Sequence, residues 1–176
     1  MIIRMEGAND WNRTRAIYDL AFGRTEEGAL VRELLDTHGA GRHLSFVAEE
    51  ESGVVGHILL SRVTIGEENT LEGMLIGPHG VLPRYQGRGI GRALLEAAMA
   101  FAEREGDGIF LVVGPCAYYG RFGFEPADCY GVVCPEPSQT GTLLVRVTDR
   151  SLCSVLKGPM RTSGERQKEV LSQYYR

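Results

Sequence analysis

A glycine-rich turn followed by a long amphipathic helix is the feature that most constrains the fold. Residues 82–92 read LPRYQGRGIGR, directly after an apolar, strand-like segment. From residue 89 to residue 105, apolar side chains recur at the spacing of one helix face; they are Ile90, Ala93, Leu94, Ala97, Ala98 and Phe101. Glycines leave the backbone N–H groups at a helix N-terminus open to an anion. We therefore expect a strand–turn–helix unit that binds phosphate, assisted by Arg84, Arg88 and Arg92.

The rest of the chain alternates between helical and β-rich patterns. Residues 2–6 indicate a short strand, and Asn9 or Asp10 can cap a first helix. A second helix is expected from Thr25 to about Gly39. Further strands are predicted over residues 44–49, 53–65, 71–82, 108–113 and 141–149, with a brief helix over 117–122. This order predicts one α+β domain around a mixed, mostly antiparallel sheet flanked by helices.

Composition excludes several classes of protein. The net charge of −4 disfavours a nucleic-acid binder, and no apolar run is long enough for a membrane span. The four cysteines and four histidines show no zinc-ligand spacing, so no metal is expected. The N-terminus lacks an apolar signal core, which favours a cytoplasmic protein with reduced thiols.

The last 26 residues carry a different charge from the rest. Residues 151–176 hold five Lys or Arg and two Asp or Glu, which leaves −7 on residues 1–150. Thr162 and Glu165 have the spacing of a capping box. We expect a C-terminal extension over 151–176 that is mainly helical and packs on the domain or forms a homodimer contact.

The glycine-rich turn does not match the two commonest phosphate-binding loops. A dinucleotide fingerprint needs G-x-G-x-x-G, whereas the third glycine here comes one residue early, and the G-x-x-x-x-G-K-[ST] loop is absent. A plain helix-starting turn is the structural alternative. The segment does match Q/R-x-x-G-x-G/A, as Gln86-Gly-Arg-Gly-Ile-Gly91.

With that match, the chain resembles the GNAT superfamily of acyl-CoA-dependent N-acyltransferases. A second block, AYYGRFGFEP at residues 117–126, is similar to the later family signature. The order of further segments resembles the YhbS-like subgroup of small bacterial members. The resemblance covers residues 1–150 and implies a GNAT-like sheet of six to seven strands.

The resemblance also implies where acetyl-CoA binds. The co-substrate would lie where the fourth and fifth strands separate, with backbone groups near Val81 holding the pantetheine arm or the thioester. The turn would wrap the pyrophosphate mainly through main-chain contacts. The cofactor-binding residues expected on this basis are Val81, Gln86, Gly87, Arg88, Gly89, Ile90, Gly91 and Arg92.

Tyr119 is the residue that matches the catalytic tyrosine of the family. Its phenol could protonate the departing CoA thiolate, and its structural alternative is an aromatic anchor on a small helix. Tyr118 is adjacent and would point elsewhere, so we expect it to pack. Cys116 invites an acyl-cysteine intermediate, but the resemblance implies direct transfer, and free cysteine is usually an inert small hydrophobe.

The general base is left open by the sequence. Some family members carry a glutamate on the fourth strand, where this chain has Leu75. His79 has the right class of pKa, although a lone strand histidine is more often structural. Three glutamates near the expected acceptor side are further candidates: Glu27, Glu49 and Glu50.

The resulting prediction is an N-acetyltransferase that uses acetyl-CoA without a metal. The acceptor would be an amine of a small molecule, a peptide or a protein, and the acidic body slightly favours a cationic one. The alternative is a non-catalytic acyl-CoA sensor, which would bind the ligand without turnover.

Overall fold

A computed structural model describes residues 1–23, 31, 43–68, 71–134 and 142–162. The chain divides into two compact units. The first combines Met1–Ser61 with Gly77–Ala102, and the second combines Arg62–Ile76 with Glu103–Arg176.

Nine strands and three α-helices occur within the described ranges. The strands are β1 (Ile2–Met5), β2 (His43–Glu50), β3 (Gly53–Ile65), β4 (Leu71–Val81), β5 (Ile109–Gly114), β6 (Glu125–Pro126), β7 (Val132–Val133), β8 (Thr142–Val147) and β9 (Gly158–Thr162). The helices are α1 (Trp11–Phe22), α2 (Ile90–Arg104) and α3 (Cys116–Tyr119). Short 3₁₀ turns follow β4, α3, β6 and β8, at Pro83–Tyr85, Gly120–Phe122, Ala127–Tyr130 and Arg150–Ser154. Both β3 and β4 pass from one unit into the other.

The first unit is built on an antiparallel meander in which β2 pairs with both β1 and β3. Adjacent residues of a strand face opposite sides of a sheet. Gly56 faces α2, because a Cβ at Gly56 would lie 3.0 Å from Leu94 and 3.2 Å from Ile90. His57 faces α1, since it bonds to Tyr18. The two helices therefore cover opposite faces, which explains why Val54 to Ser61 are all buried.

The second unit is built on strands that pair in both parallel and antiparallel directions. Strand β4 is parallel to β5 over the register Met74–Phe110 to Ile76–Val112, as expected for strands joined through a helix. Strand β8 is antiparallel to β5 and β6, and β9 pairs with β7 and the end of β3. One hydrophobic cluster of buried side chains in this unit comprises Val63, Ile65, Leu75, Ile109, Leu111, Val113, Ala127, Val132, Val145, Leu156 and Met160.

Helix α1 begins where the sequence predicts, but its start is held differently from the expected cap. Asp10 occupies the N-cap position, yet its side chain makes no capping hydrogen bond. Its carboxylate instead accepts two hydrogen bonds from Arg4, at 2.6 and 2.9 Å, and one from the Gly7 N–H at 2.7 Å. Asp10 thus ties the end of β1 to the start of the helix.

Most predicted elements lie within one or two residues of their observed bounds, and the mixed α+β fold is confirmed. The buried face of α2 differs from the predicted stripe, because Leu95, Met99 and Ala102 are also buried. Strand β9 was not predicted; it lies in the segment expected to be mainly helical. The predicted second helix, apart from Val31, and the capping-box helix after Thr162 lie outside the described residues.

Replacing Asp10 with Asn should lower the free energy of unfolding by about 2 kcal/mol, because hydrogen bonds to a charged group are lost. The Arg4 hydrogen bonds hold the pKa of Asp10 below its ordinary value, helped by the Gly7 N–H. The stabilisation by Asp10 is therefore complete above the pKa of this carboxyl in the unfolded chain, about 4. It is lost as the pH falls through the lower pKa of Asp10 in the folded protein. Urea unfolding at several pH values measures this.

The matched control is Glu96→Gln, which removes an exposed pair with Arg92 and should cost about 0.5 kcal/mol or less. Equal losses for both variants, or a loss for Asp10→Asn that does not shrink at low pH, would contradict the assigned role of Asp10.

Candidate acyl-CoA site

The turn that joins β4 to α2 presents bare backbone to solvent. Gly87 and Gly89 adopt φ values of 73° and 81°, a region that side chains disfavour. A Cβ at either position would meet nothing within 4 Å, and both residues are exposed. The glycines of this turn are therefore required by the backbone conformation and leave the peptide groups accessible.

Helix α2 begins immediately after these glycines. Its first hydrogen bond runs from the Ala93 N–H to the Gly89 carbonyl, at 3.0 Å. The N–H groups of residues 90–92 precede that bond and form the positive end of the helix dipole. Exposed backbone and a 15-residue helix meet here, as the sequence predicts for an anion site.

Three arginines surround the turn, and none is buried. The guanidinium groups of Arg84 and Arg88 lie 5.0 and 5.2 Å from the centre of the Tyr85 ring. Arg92 pairs with Glu96 at 2.9 Å, one helical turn away. Because exposed pairs of this kind are weak, these cations can exchange partners for a phosphate group at small cost.

The side chain of Gln86 bonds back to the end of β4. Its Nε2 donates a hydrogen bond to the Val81 carbonyl at 3.0 Å, and the next residue of the strand end, Leu82, donates its N–H to the Val55 carbonyl at 2.9 Å. The hydrogen bond between Gln86 and Val81 therefore restrains the shape of the turn. Both residues were predicted to belong to the site.

Tyr119 is the last residue of α3, the short helix that follows β5. Its ring packs directly over Gly114, where a Cβ would be 2.5 Å from Cε2, and lies 5.8 Å from the Phe124 ring. Burial, together with Tyr118, raises the pKa of Tyr119 to about 12, so its hydroxyl holds a proton at neutral pH. The Tyr118 ring contacts the Tyr119 ring edge-to-face, with ring centres 4.9 Å apart, and it also lies against Arg121 and Phe122. The two adjacent tyrosines therefore touch each other, whereas Tyr118 was expected to point elsewhere.

Comparison with known proteins identifies the family. Residues 41–126 match the acetyltransferase (GNAT) domain. The chain is 36% identical over 131 residues to the uncharacterized N-acetyltransferase YjhQ of Escherichia coli K12, which covers 73% of this chain and 72% of YjhQ. The chain belongs to the GNAT acetyltransferase family. The predicted membership and the class of enzyme, an acyltransferase, are confirmed.

Two solved GNAT structures are similar over nearly the whole chain. The crystal structure of YhbS from E. coli in complex with CoA has a TM-score of 0.86 and 25% identity, covering 95% of this chain and 91% of YhbS. A GNAT acetyltransferase from Brucella melitensis in complex with acetyl-CoA has a TM-score of 0.75 and 27% identity, covering 94% and 97%. The predicted likeness to the YhbS-like subgroup is thereby confirmed.

None of the described acidic candidates is placed as a free general base. Glu49 pairs with Arg4 at 2.8 Å, and Glu50 lies 3.6 Å from the N-terminal amine. Leu75 is buried in the core of the second unit, and Glu27 lies outside the described residues.

His79 is held neutral. Burial, and then the charge of His57, lower the pKa of His79 to about 4, against a hydrogen bond with the Gly91 backbone. Its Nε2 is buried and has no hydrogen-bond partner among the described residues. An imidazole with so low a pKa is a weak proton acceptor at neutral pH. Cys116 is exposed and is the first residue of α3.

Sequence reasoning missed a buried polar cluster in the first unit. Tyr18 and His57 are fully buried, and the hydroxyl of Tyr18 contacts both the His57 ring and the Pro78 carbonyl. The cluster continues through Ser45 to Glu6. The available signal was a histidine in the middle of an apolar strand, since a buried polar group requires partners.

Two kinds of feature are absent from the described residues. No group of three or more His, Cys, Asp or Glu side chains there could hold a metal ion. No helix in the same ranges has the length and hydrophobicity needed to cross a bilayer.

Replacing Gly114 with Ala should destabilise the protein by about 1–3 kcal/mol, because the new methyl group would overlap the Tyr119 ring. The matched control is Gly120→Ala. Gly120 has a helical φ of −56°, and a Cβ there meets nothing within 4 Å. Urea unfolding measures both, and equal stability of the two variants would show that Tyr119 does not pack on Gly114.

Proposed function

We propose that this GNAT protein transfers the acetyl group of acetyl-CoA directly to a primary amine. The observation that carries the proposal is the turn at residues 86–91, where exposed glycine backbone meets the N-terminus of α2. Such a site suits the pyrophosphate of CoA, because the donors are main-chain N–H groups supplemented by mobile arginines.

The choice of donor is supported by the two solved relatives, whose ligands are CoA and acetyl-CoA. In the proposed complex, Val81 offers backbone groups to the pantetheine arm or thioester. Gln86, Gly87, Arg88, Gly89, Ile90, Gly91 and Arg92 surround the pyrophosphate. The pairing of β4 with β5 covers only Met74 to Ile76. In the proposed complex, the rest of β4, Gly77–Val81, is therefore available to bind the pantetheine arm.

The chemistry needs three proton or charge movements. The neutral amine attacks the thioester carbonyl, and a backbone N–H stabilises the oxyanion that forms. Collapse of this intermediate breaks the C–S bond and releases the CoA thiolate, which takes a proton, and the attacking nitrogen gives up its extra proton to solvent to leave the amide. Tyr119 is the proposed donor to the thiolate, because its phenol carries a proton at neutral pH.

The acceptor remains defined only by class. A net charge of −7 on residues 1–150 favours a cationic amine through electrostatic steering. The amine must lose a proton before it attacks, and either a water chain or an exposed carboxylate could accept that proton.

A non-catalytic acyl-CoA sensor is the second candidate. Two observations favour it: Glu49 and Glu50 are engaged in ion pairs, and burial lowers the pKa of His79 to about 4. A sensor would bind acetyl-CoA and never release CoA thiol in the presence of amines.

Titration calorimetry with acetyl-CoA tests the turn. Saturable one-to-one binding is expected, and Gly89→Ala should weaken it about tenfold, because a methyl group and backbone strain enter the anion site. Gly106→Ala is the matched control, since Gly106 also has a positive φ, 100°, and open space around a Cβ. Equal effects of the two substitutions, or no binding by the wild type, would refute the proposed pyrophosphate site.

Amine-dependent release of CoA thiol tests the reaction, with a panel of small-molecule and peptide amines. Tyr119→Phe should lower kcat about 100-fold and leave the Kd for acetyl-CoA within about twofold, as expected for a proton donor. Tyr118→Phe is the matched control and should retain kcat. Unchanged turnover in Tyr119→Phe would remove Tyr119 from the mechanism, and binding without release under all conditions would favour the sensor.

A further inference from the structure

The buried cluster in the first unit is a single chain of hydrogen bonds. The Tyr18 hydroxyl contacts the Pro78 carbonyl at 3.1 Å and the Nδ1 atom of His57 at a shorter distance. On the other side of the ring, His57 Nε2 lies 2.7 Å from the Ser45 hydroxyl and 3.3 Å from Glu6 Oε2. The Ser45 hydroxyl lies 2.5 Å from the same Glu6 oxygen.

The state of the chain follows from counting its protons, beginning at Glu6. Burial alone would raise the pKa of Glu6, but the hydrogen bond and charge of His57 and the hydrogen bond of Ser45 lower it overall. Glu6 is therefore ionised and can only accept hydrogen bonds. Ser45 has one proton, which goes to Glu6. The contact between Ser45 and His57 then needs a proton on Nε2.

The other half of the chain depends on Nδ1. Tyr18 also has one proton, and it points either to His57 or to the Pro78 carbonyl. It can point to Pro78 while keeping the His57 contact only if Nδ1 carries a proton and donates it to the Tyr18 oxygen. All the contacts are satisfied together only when both ring nitrogens of His57 are protonated.

We propose that Tyr18 and His57 are positioning residues: doubly protonated His57, paired with Glu6, directs the Tyr18 hydroxyl onto the Pro78 carbonyl. When His57 is neutral it keeps its Nε2 proton, Nδ1 becomes an acceptor, and the Tyr18 hydroxyl turns away from Pro78. The role in acetyl-CoA binding rests on the function proposed above.

The segment that Tyr18 holds leads directly into the proposed site. Its ring also packs on Gly80, where a Cβ would lie 3.2 Å from Cε1. Tyr18 therefore contacts β4 on both sides of His79, immediately before Val81. The Val81 carbonyl is held separately by Gln86, so loss of the Pro78 bond removes one of several restraints on the strand end.

Several other titratable groups surround His57. Glu6 and Tyr18 contact it directly, and the charge of His57 also acts on Asp10 and His79. Asp10 is ionised and paired with Arg4, and His79 is neutral with a pKa of about 4. Neither Asp10 nor His79 changes charge near neutral pH.

The ring protons can be observed without any ligand, by ¹⁵N NMR of histidine-labelled protein, with His57→Asn identifying the His57 signals. We expect two protonated ring nitrogens at about pH 5.5 and, as the pH rises, loss of the Nδ1 proton alone. A ring that keeps one tautomer from about pH 5.5 to 8.5, or that loses the Nε2 proton first, would overturn the proposal.

The positioning role is tested by the Kd for acetyl-CoA across the same pH range. Tyr18→Phe keeps the ring on Gly80 and removes only the hydroxyl. Relative to the wild type, it should bind about fivefold more weakly at about pH 5.5 and equally well at about pH 8.5, as expected for one net hydrogen bond. A constant ratio, or one that grows with pH, would refute the role of His57 as the control.

His57→Asn provides a second variant if Tyr18→Phe does not fold. Its amide N–H can replace Nδ1–H as a donor to Tyr18 but cannot lose its proton. The variant should therefore bind acetyl-CoA as the wild type does at about pH 5.5 and about fivefold more tightly than the wild type at about pH 8.5. If wild type fails to bind acetyl-CoA at every pH, the proposed function fails, whereas the NMR result still decides the state of His57.

Discussion

Two adjacent residues of β3 hold the first unit together, because they face opposite sides of the sheet. Gly56 has no side chain and lets α2 approach to contact distance, through Leu94 and Ile90. His57 binds Tyr18 of α1 on the other face. Gly56 thus lies against the first turns of α2, and Tyr18, the partner of His57, contacts Pro78 and Gly80 of β4. A shift at either residue would therefore move the proposed site.

The site itself is mainly backbone, and this has a physical consequence. Main-chain donors are positioned by the fold, so their accuracy depends on the restraints around residues 78–91 and little on individual side chains. Gln86 restrains Val81 from the loop side, and Tyr18 restrains Pro78 and Gly80 from α1. In contrast, the role proposed for Tyr119 depends on one phenol group, and the position of its ring depends on the absence of a side chain at Gly114.

Local patterns predicted most of the fold. The helical period of α2, the bounds of β3 and the glycine turn depend on interactions between residues close in sequence. The observed elements agree closely with the predicted ones. Strand β9 was missed because its short sequence has no strong β pattern, and its pairing with β3 and β7 joins residues far apart in sequence. The cap at Asp10 was predicted correctly in place and wrongly in contacts, since Arg4 competes for the carboxylate.

The sequence by itself determined the turn at residues 86–91 and the tyrosine at 119, because glycine conformations and residue types act locally and leave a readable motif. Only the tertiary structure decided what the buried histidines do. His57 gains its partners from α1, from β2 and from Glu6, which follows β1, and His79 becomes neutral through burial. Protonation depends on the groups that the fold brings within a few ångströms, and no spacing along the chain records them.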